Sequence, residues 1–253
     1  MRRITLTSAL ALTTATGAAM ASTSDFHAPW TDILQTYVVE SQDGLNRFDY
    51  GALKANEADK AKLSAYIQSY ATLDMDTLSD DAQFAAYSNA YNALTIEHMI
   101  ERYPVKSIRS GYIVGPWKRV KMTIDGEELS LDAIEHDVLR VDWSDPRVHY
   151  AVNCASIGCP NLQTRAWVAE TLDEDLDTAA RDFVNHQRGV SVLDRGGLKV
   201  SRIYKWFRED FGGSDEGVIA HVLQYAEPDL AAEIRANADV KKHGYDWDLN
   251  DVE

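Results

Sequence analysis

The chain predicts an α+β fold, one helix-rich domain with a small antiparallel sheet or hairpins. Three observations lead there. Several long segments carry apolar residues at helical spacing. Two short apolar runs flank Asp125-Gly126, and two more flank Arg195-Gly196-Gly197, both hairpin signals. No internal repeat or low-complexity linker divides the chain, so the expectation is a single domain over residues 22–253.

The first residues read as a leader. Arg2 and Arg3 give a positive start, residues 4–20 are small or apolar, and Ala19-Met20-Ala21 fits a cleavage site. A signal peptide over residues 1–21 implies a periplasmic or secreted protein. The remainder has no apolar run long enough to span a bilayer. Removing Arg2 and Arg3 takes the net charge from -15 to about -17. Phosphate backbones and anionic lipid repel such a chain, so nucleic acid is not an expected partner. A small molecule, a peptide or another protein remains open.

Residues 22–29 read as a lead-in. From Trp30, Ile33, Leu34, Tyr37 and Val38 predict a helix closed by Gly44. Residues 46–50 read as a strand or extended loop, and residues 52–70 as a helix with Leu53, Leu63, Tyr66, Ile67 and Tyr70 on its apolar stripe. After a linker at residues 73–78, Ser79 is placed to cap a long helix that Pro104 ends. Asn89 and Asn92 lie three apart on it, either bonding loop backbone in the core or offering a hydrogen bond to a site. The Asp125-Gly126 hairpin leads into a short helix over residues 133–140 that contains Glu135 and His136. Residues 171–187, 201–211 and 217–226 read as further helices. Tyr204, Trp206 and Phe207 are expected in the core, and the acidic end as a loosely packed tail.

Residues 147–162, R-V-H-Y-A-V-N-C-A-S-I-G-C-P-N-L, carry both cysteines of the chain. Val148, Tyr150 and Val152 alternate with His149, Ala151 and Asn153, which predicts a half-buried strand running into Cys154. Three chemistries compete for this stretch. Cys154 and Cys159 can form a disulfide, a modest staple of about 2 kcal/mol for so short a loop. Alternatively Cys154 is a nucleophile with His136 or His149 as base, oriented by Glu135 or Asp210. Asn89, Asn92 or Ser156 would then hold an oxyanion. Strand parity turns Cys154 away from His149 and makes His136 the better base. Zinc on His136, His149, Cys154 and Cys159 or Glu135 is the third reading, against the usual tighter ligand spacing; no other cofactor is expected.

Four motifs in order resemble the domain-of-unknown-function 547 family: N-A-Y-N-A-L-T-I, S-L-D-A-I-E-H-D-V-L-R, the D-P-R-V-H-Y-A-V-N-C-A-S-I-G-C-P stretch and S-R-I-Y-K-W-F-R-E-D-F. The resemblance covers roughly Phe84 to Phe211. It implies that Glu135, His136, His149, Cys154 and Cys159 fill the family's characteristic positions, and it implies no activity. The expectation carried forward is a cysteine-dependent hydrolase or acyltransferase acting on an amide or thioester. The alternatives are a disulfide-stapled binding domain and a His/Cys metal-binding protein.

Overall fold

Fifteen of the 23 residues of helix α4 (Asp80–Arg102) are buried, among them Phe84, Leu94, Ile96 and Met99, so the helix is enclosed on nearly all sides. Each large apolar side chain so buried contributes about 1.5–3 kcal/mol. Ser79 caps it, its hydroxyl accepting from Ala82 N–H, and Asp80 and Asp81 sit at the positive end of its dipole. These are features of a computed structural model that describes residues 23–252; the predicted leader lies outside the described residues.

Three helices cover α4 from the N-terminal side: α1 (Thr23–Tyr37), α2 (Tyr50–Ala55) and α3 (Glu57–Ser69). Helix α1 starts within the expected lead-in and stops at Tyr37, well short of Gly44. Gly44 lies instead in the turn between β1 (Val38–Glu40) and β2 (Asn46–Phe48), where its φ of 79° suits a residue without a Cβ. The predicted helix over 52–70 is broken at Asn56, whose side chain accepts from Asp59 N–H and restarts the chain as α3.

The Asp125-Gly126 prediction holds. β3 (Lys121–Ile124) pairs antiparallel with β4 (Glu127–Ser130), and both turn residues have positive φ, 48° and 76°. The second hairpin, β5 (Val190–Val192) with β6 (Leu198–Ser201), gains a parallel third strand, β7 (Val240–Gly244). The acidic end is therefore no loose tail. It supplies β7, and Leu249 and Asn250 beyond it are buried.

Between these sheets run the short helices. Ser130 caps α5 (Leu131–Ala133), which continues through a π-turn, Ile134–Leu139, into α6 (Arg140–Asp142). The predicted strand at 148–153 is instead α7 (Val148–Ala151). Asp145-Pro146 starts it, with Val148 N–H donating to the Asp145 carbonyl. All four of its residues are buried, so alternation of residue type there carries no information about faces. Helix α8 (Leu172–Asn185) presents Leu172, Leu176, Ala179, Ala180 and Phe183 to the core as predicted. The expected helix over 201–211 is split into α9 (Ile203–Trp206) and a 3₁₀ turn (Arg208–Phe211), followed by α10 (Asp215–Tyr225) and α11 (Pro228–Ala236). One contiguous cluster of buried apolar side chains runs from Trp30 to Leu249.

Candidate functional site

The loop after α7 is held from below by α4. Asn92 donates to the Ala151 carbonyl at 2.9 Å and accepts from Asn153 N–H at 2.8 Å. Asn89 does the same for Trp167, at 2.8 and 3.0 Å. Both amides are spent on backbone, so neither faces the site as an oxyanion donor; a helix interior tolerates them because they satisfy buried backbone groups.

Past Asn153 the chain turns sharply. Ala155 adopts φ 59°, uncommon for a residue with a Cβ, and the Asn153 side chain accepts its N–H at 2.7 Å. The loop is then laced onto the C-terminal segment: Ile157 N–H donates to the Asp248 carbonyl and Gly158 N–H to that of Asp246. A Cβ on Gly158 would sit 2.8 Å from the Asp246 backbone, so this approach requires glycine.

The turn gathers four polar atoms into mutual contact. The sulfurs of Cys154 and Cys159 are 2.7 Å apart, in close contact but not bonded. Tyr245 Oη is 3.1 Å from each sulfur, and Ser156 Oγ is 2.9 Å from Tyr245 Oη. Cys159 Sγ also accepts the Cys154 N–H at 3.0 Å. Burial by itself raises the Cys159 thiol, but the hydrogen bonds from Cys154, Ser156 and Tyr245 hold it below its ordinary value. Cys154 moves the opposite way, raised by its contact with Cys159 and by burial. The pair thus gives up one proton readily and the second with difficulty. Behind the thiols, the largely buried Arg188 anchors the loop, donating to the Ile157 carbonyl and Asn161 Oδ1, and its charge favours an anionic Cys159.

The thiols open into a cleft of about 510 Å³. Glu135, His136 and His149 line the same cleft but form a second group. Helix α7 delivers His149, whose Nε2 is 2.7 Å from Asp210 Oδ2 and whose ring stacks on Phe207 at 3.9 Å. Burial lowers the His149 pKa, so the ring is neutral. Asp210 stays ionised because bonds from His149 and Arg140 outweigh the burial that would raise it. A carboxylate only accepts, so Nε2 carries the proton and the bare Nδ1 faces Glu135 Oε1 at 3.8 Å.

The π-turn sets Glu135 and His136 side by side, a placement often found at functional sites. His136 Nδ1 accepts from Arg140 at 2.7 Å, and Arg140 forks onto Asp210 at 2.6 and 2.8 Å. The lone pair of His136 is therefore occupied, and neither histidine is hydrogen-bonded to a sulfur; the expected Cys–His pair is not formed. With the predicted strand absent, the parity that favoured His136 also falls away. Glu135 is buried, and desolvation raises its pKa to about 7, with anionic Cys159 adding to the effect while Arg140 and a hydrogen bond with Tyr91 oppose it. Among the described residues no group of three or more His, Cys, Asp and Glu side chains is arranged to hold a metal ion.

Several of these residues were not foreseen. Tyr245 touches both sulfurs from the segment read as a tail, and Trp247 packs against it at 4.5 Å. Trp206, placed in the core by its pattern, is 44% exposed at the cleft, whereas Tyr204 is buried as expected. Arg140 had a legible signal, since it stands four residues after His136 on one helix face.

No curated protein and no solved structure matches the chain. A family model matches residues 75–184, a span that takes in α4, the π-turn, α7 and the cysteine loop and ends within α8. The motif at residues 201–211, with Asp210, and Tyr245 lie beyond it. Over residues 75–184 the chain matches the family described as Protein of unknown function, DUF547, in agreement with the resemblance read from its motifs.

Proposed function

We propose that this is an exported thiol-dependent hydrolase or acyltransferase acting on an amide or thioester. The observation that carries the reading is the cleft itself: a thiol pair with one easily lost proton stands opposite a buried carboxyl whose pKa is about 7. Cys154 is the less covered sulfur and attacks the acyl carbon. Its proton passes to Cys159, 2.7 Å away, so the base is a second sulfur and not an imidazole. Tyr245 and Ser156 hydroxyls, both beside Cys154, donate to the oxyanion. Protonated Glu135 delivers a proton to the leaving group, and neutral His149, fixed by Asp210, offers its bare Nδ1 beside it.

The walls suggest what fits. Trp206, Trp247 and Trp117 give an aromatic surface, and Arg109 and Arg202 stand exposed at the rim. Among the described residues neither arginine makes an ion pair; Arg109 lies over the Trp247 ring at 4.8 Å. An acyl compound with an apolar body and an anionic group matches both features.

The test is to incubate the reduced protein with aryl thioesters, quench in acid and measure the intact mass. An acyl adduct that maps to Cys154 and is absent from Cys154→Ser is expected. Failure of any thioester to acylate a folded, reduced protein, with binding of the same compounds unchanged in Cys154→Ser, contradicts the reading and favours a binding domain.

A further inference from the structure

Two thiols in contact, one behind the other, can do more than pass a proton between them. Cys154 is partly exposed to the cleft, whereas Cys159 is 3% exposed and sits behind it. Their sulfurs are 2.7 Å apart across a turn already closed by the Cys159 N–H bond to the Ser156 carbonyl. Ala155 and the Asn153 side chain hold that turn, and the sulfurs need only close from 2.7 Å to a bond length of about 2.05 Å. An accessible thiol backed by a covered one is the arrangement of an attacking and a resolving cysteine. Ser156 and Tyr245 hydroxyls touch both sulfurs and can follow the charge from one to the other.

We propose that Cys154 and Cys159 are a redox pair that exchanges with small-molecule disulfides, closing an intramolecular disulfide as the small disulfide is reduced. Cys154 Sγ attacks one sulfur of R–S–S–R as its proton passes to the Cys159 thiolate, forming a Cys154–S–S–R mixed disulfide and releasing RS⁻, which then takes that proton from Cys159. Cys159 thiolate then attacks Cys154 Sγ, forming the Cys154–Cys159 bond and releasing the second RS⁻. The two protons first held by the thiols end on the two RSH molecules. The protein loses two electrons and the small disulfide gains them. The same closure removes the sulfur nucleophile of the acyl chemistry, yet the exchange itself does not depend on that chemistry.

Oxidised glutathione is the probe. Full-length reduced protein is mixed with it under nitrogen, and released thiol and protein mass are followed. The expected result is two glutathione thiols released per chain and a protein that carries no adduct and no titratable thiol. Cys159→Ser should stop at one glutathione bound to Cys154, and dithiothreitol should restore both thiols of the native chain. Wild-type protein that accumulates the mixed disulfide, or that keeps both thiols while Cys159→Ser is modified, overturns the proposal. A protein that passes this test but forms no acyl adduct would retain the redox pair and lose the hydrolase reading, so the two stand or fall separately.

Discussion

At the scale of single residues the chemistry of the cleft depends on where protons rest. Glu135 is neutral below about pH 7 and ionised above it. As the proton donor to the leaving group it is active when protonated, so acyl transfer should fall as pH rises through about 7. Glu135→Gln should lower kcat by roughly 10²–10⁴-fold and abolish that alkaline decline, read from pH–rate profiles. A decline that persists unchanged in the glutamine variant would assign it to another group. Tyr245→Phe removes a hydroxyl that bonds both sulfurs. Its loss should move the ionisation of the first thiol upward, seen as a shift in the pH midpoint of iodoacetamide labelling. An unmoved midpoint would reduce Tyr245 to packing.

The elements explain why these side chains meet. The π-turn after α5 widens the helix by one residue and carries Glu135 into the cleft that the thiols line, while His136 pairs with Arg140. Helix α4 supplies two side-chain clamps with different consequences. Asn89→Ala and Asn92→Ala should each cost about 1–3 kcal/mol in urea unfolding, because each strands a buried backbone N–H. Only Asn92→Ala, whose partners Ala151 and Asn153 lie just before Cys154, should also change the labelling rate of that cysteine. Equal labelling in both variants would mean that the Asn153 clamp does not shape the site. Much at this scale was readable in advance. Ser79, Asp125-Gly126 and the stripe of α8 each act locally, through a cap, a turn or one face, and local rules found them. The α7 segment is buried on every side, which erases the difference between period 2 and period 3.6, so its alternation predicts a strand where a helix forms. Asn56 and Phe207 break helices whose apolar stripes run on past them, and a stripe does not register such breaks.

At the scale of the whole molecule, the site is closed by residues far apart in the chain. Cys154 and Tyr245 are 91 positions apart, His149 and Asp210 are 61, and no spacing rule joins them. Candidate residues were therefore legible by type, whereas their partners were not: Cys154 pairs with Cys159 and Tyr245, and His149 with Asp210. The C-terminal segment owes its place to β7, which adds to β6 and carries Tyr245 and Trp247 over the cleft. The chain's net charge of -15 repels anions at long range, and Arg109 and Arg202 at the rim oppose this locally. An anionic thioester should accordingly show a higher KM in Arg109→Ala/Arg202→Ala, with kcat little changed, while a neutral analogue is indifferent to the change. The central claim is that Cys154 and Cys159 share one easily lost proton in a single cleft. Its most direct measurement is the pH dependence of iodoacetamide labelling of the reduced native protein, read by mass. One alkylation whose midpoint falls below the ordinary thiol range, with the second thiol resistant until the chain is unfolded, is the predicted result. Two thiols that label together, at the pH of free cysteine, would contradict the account.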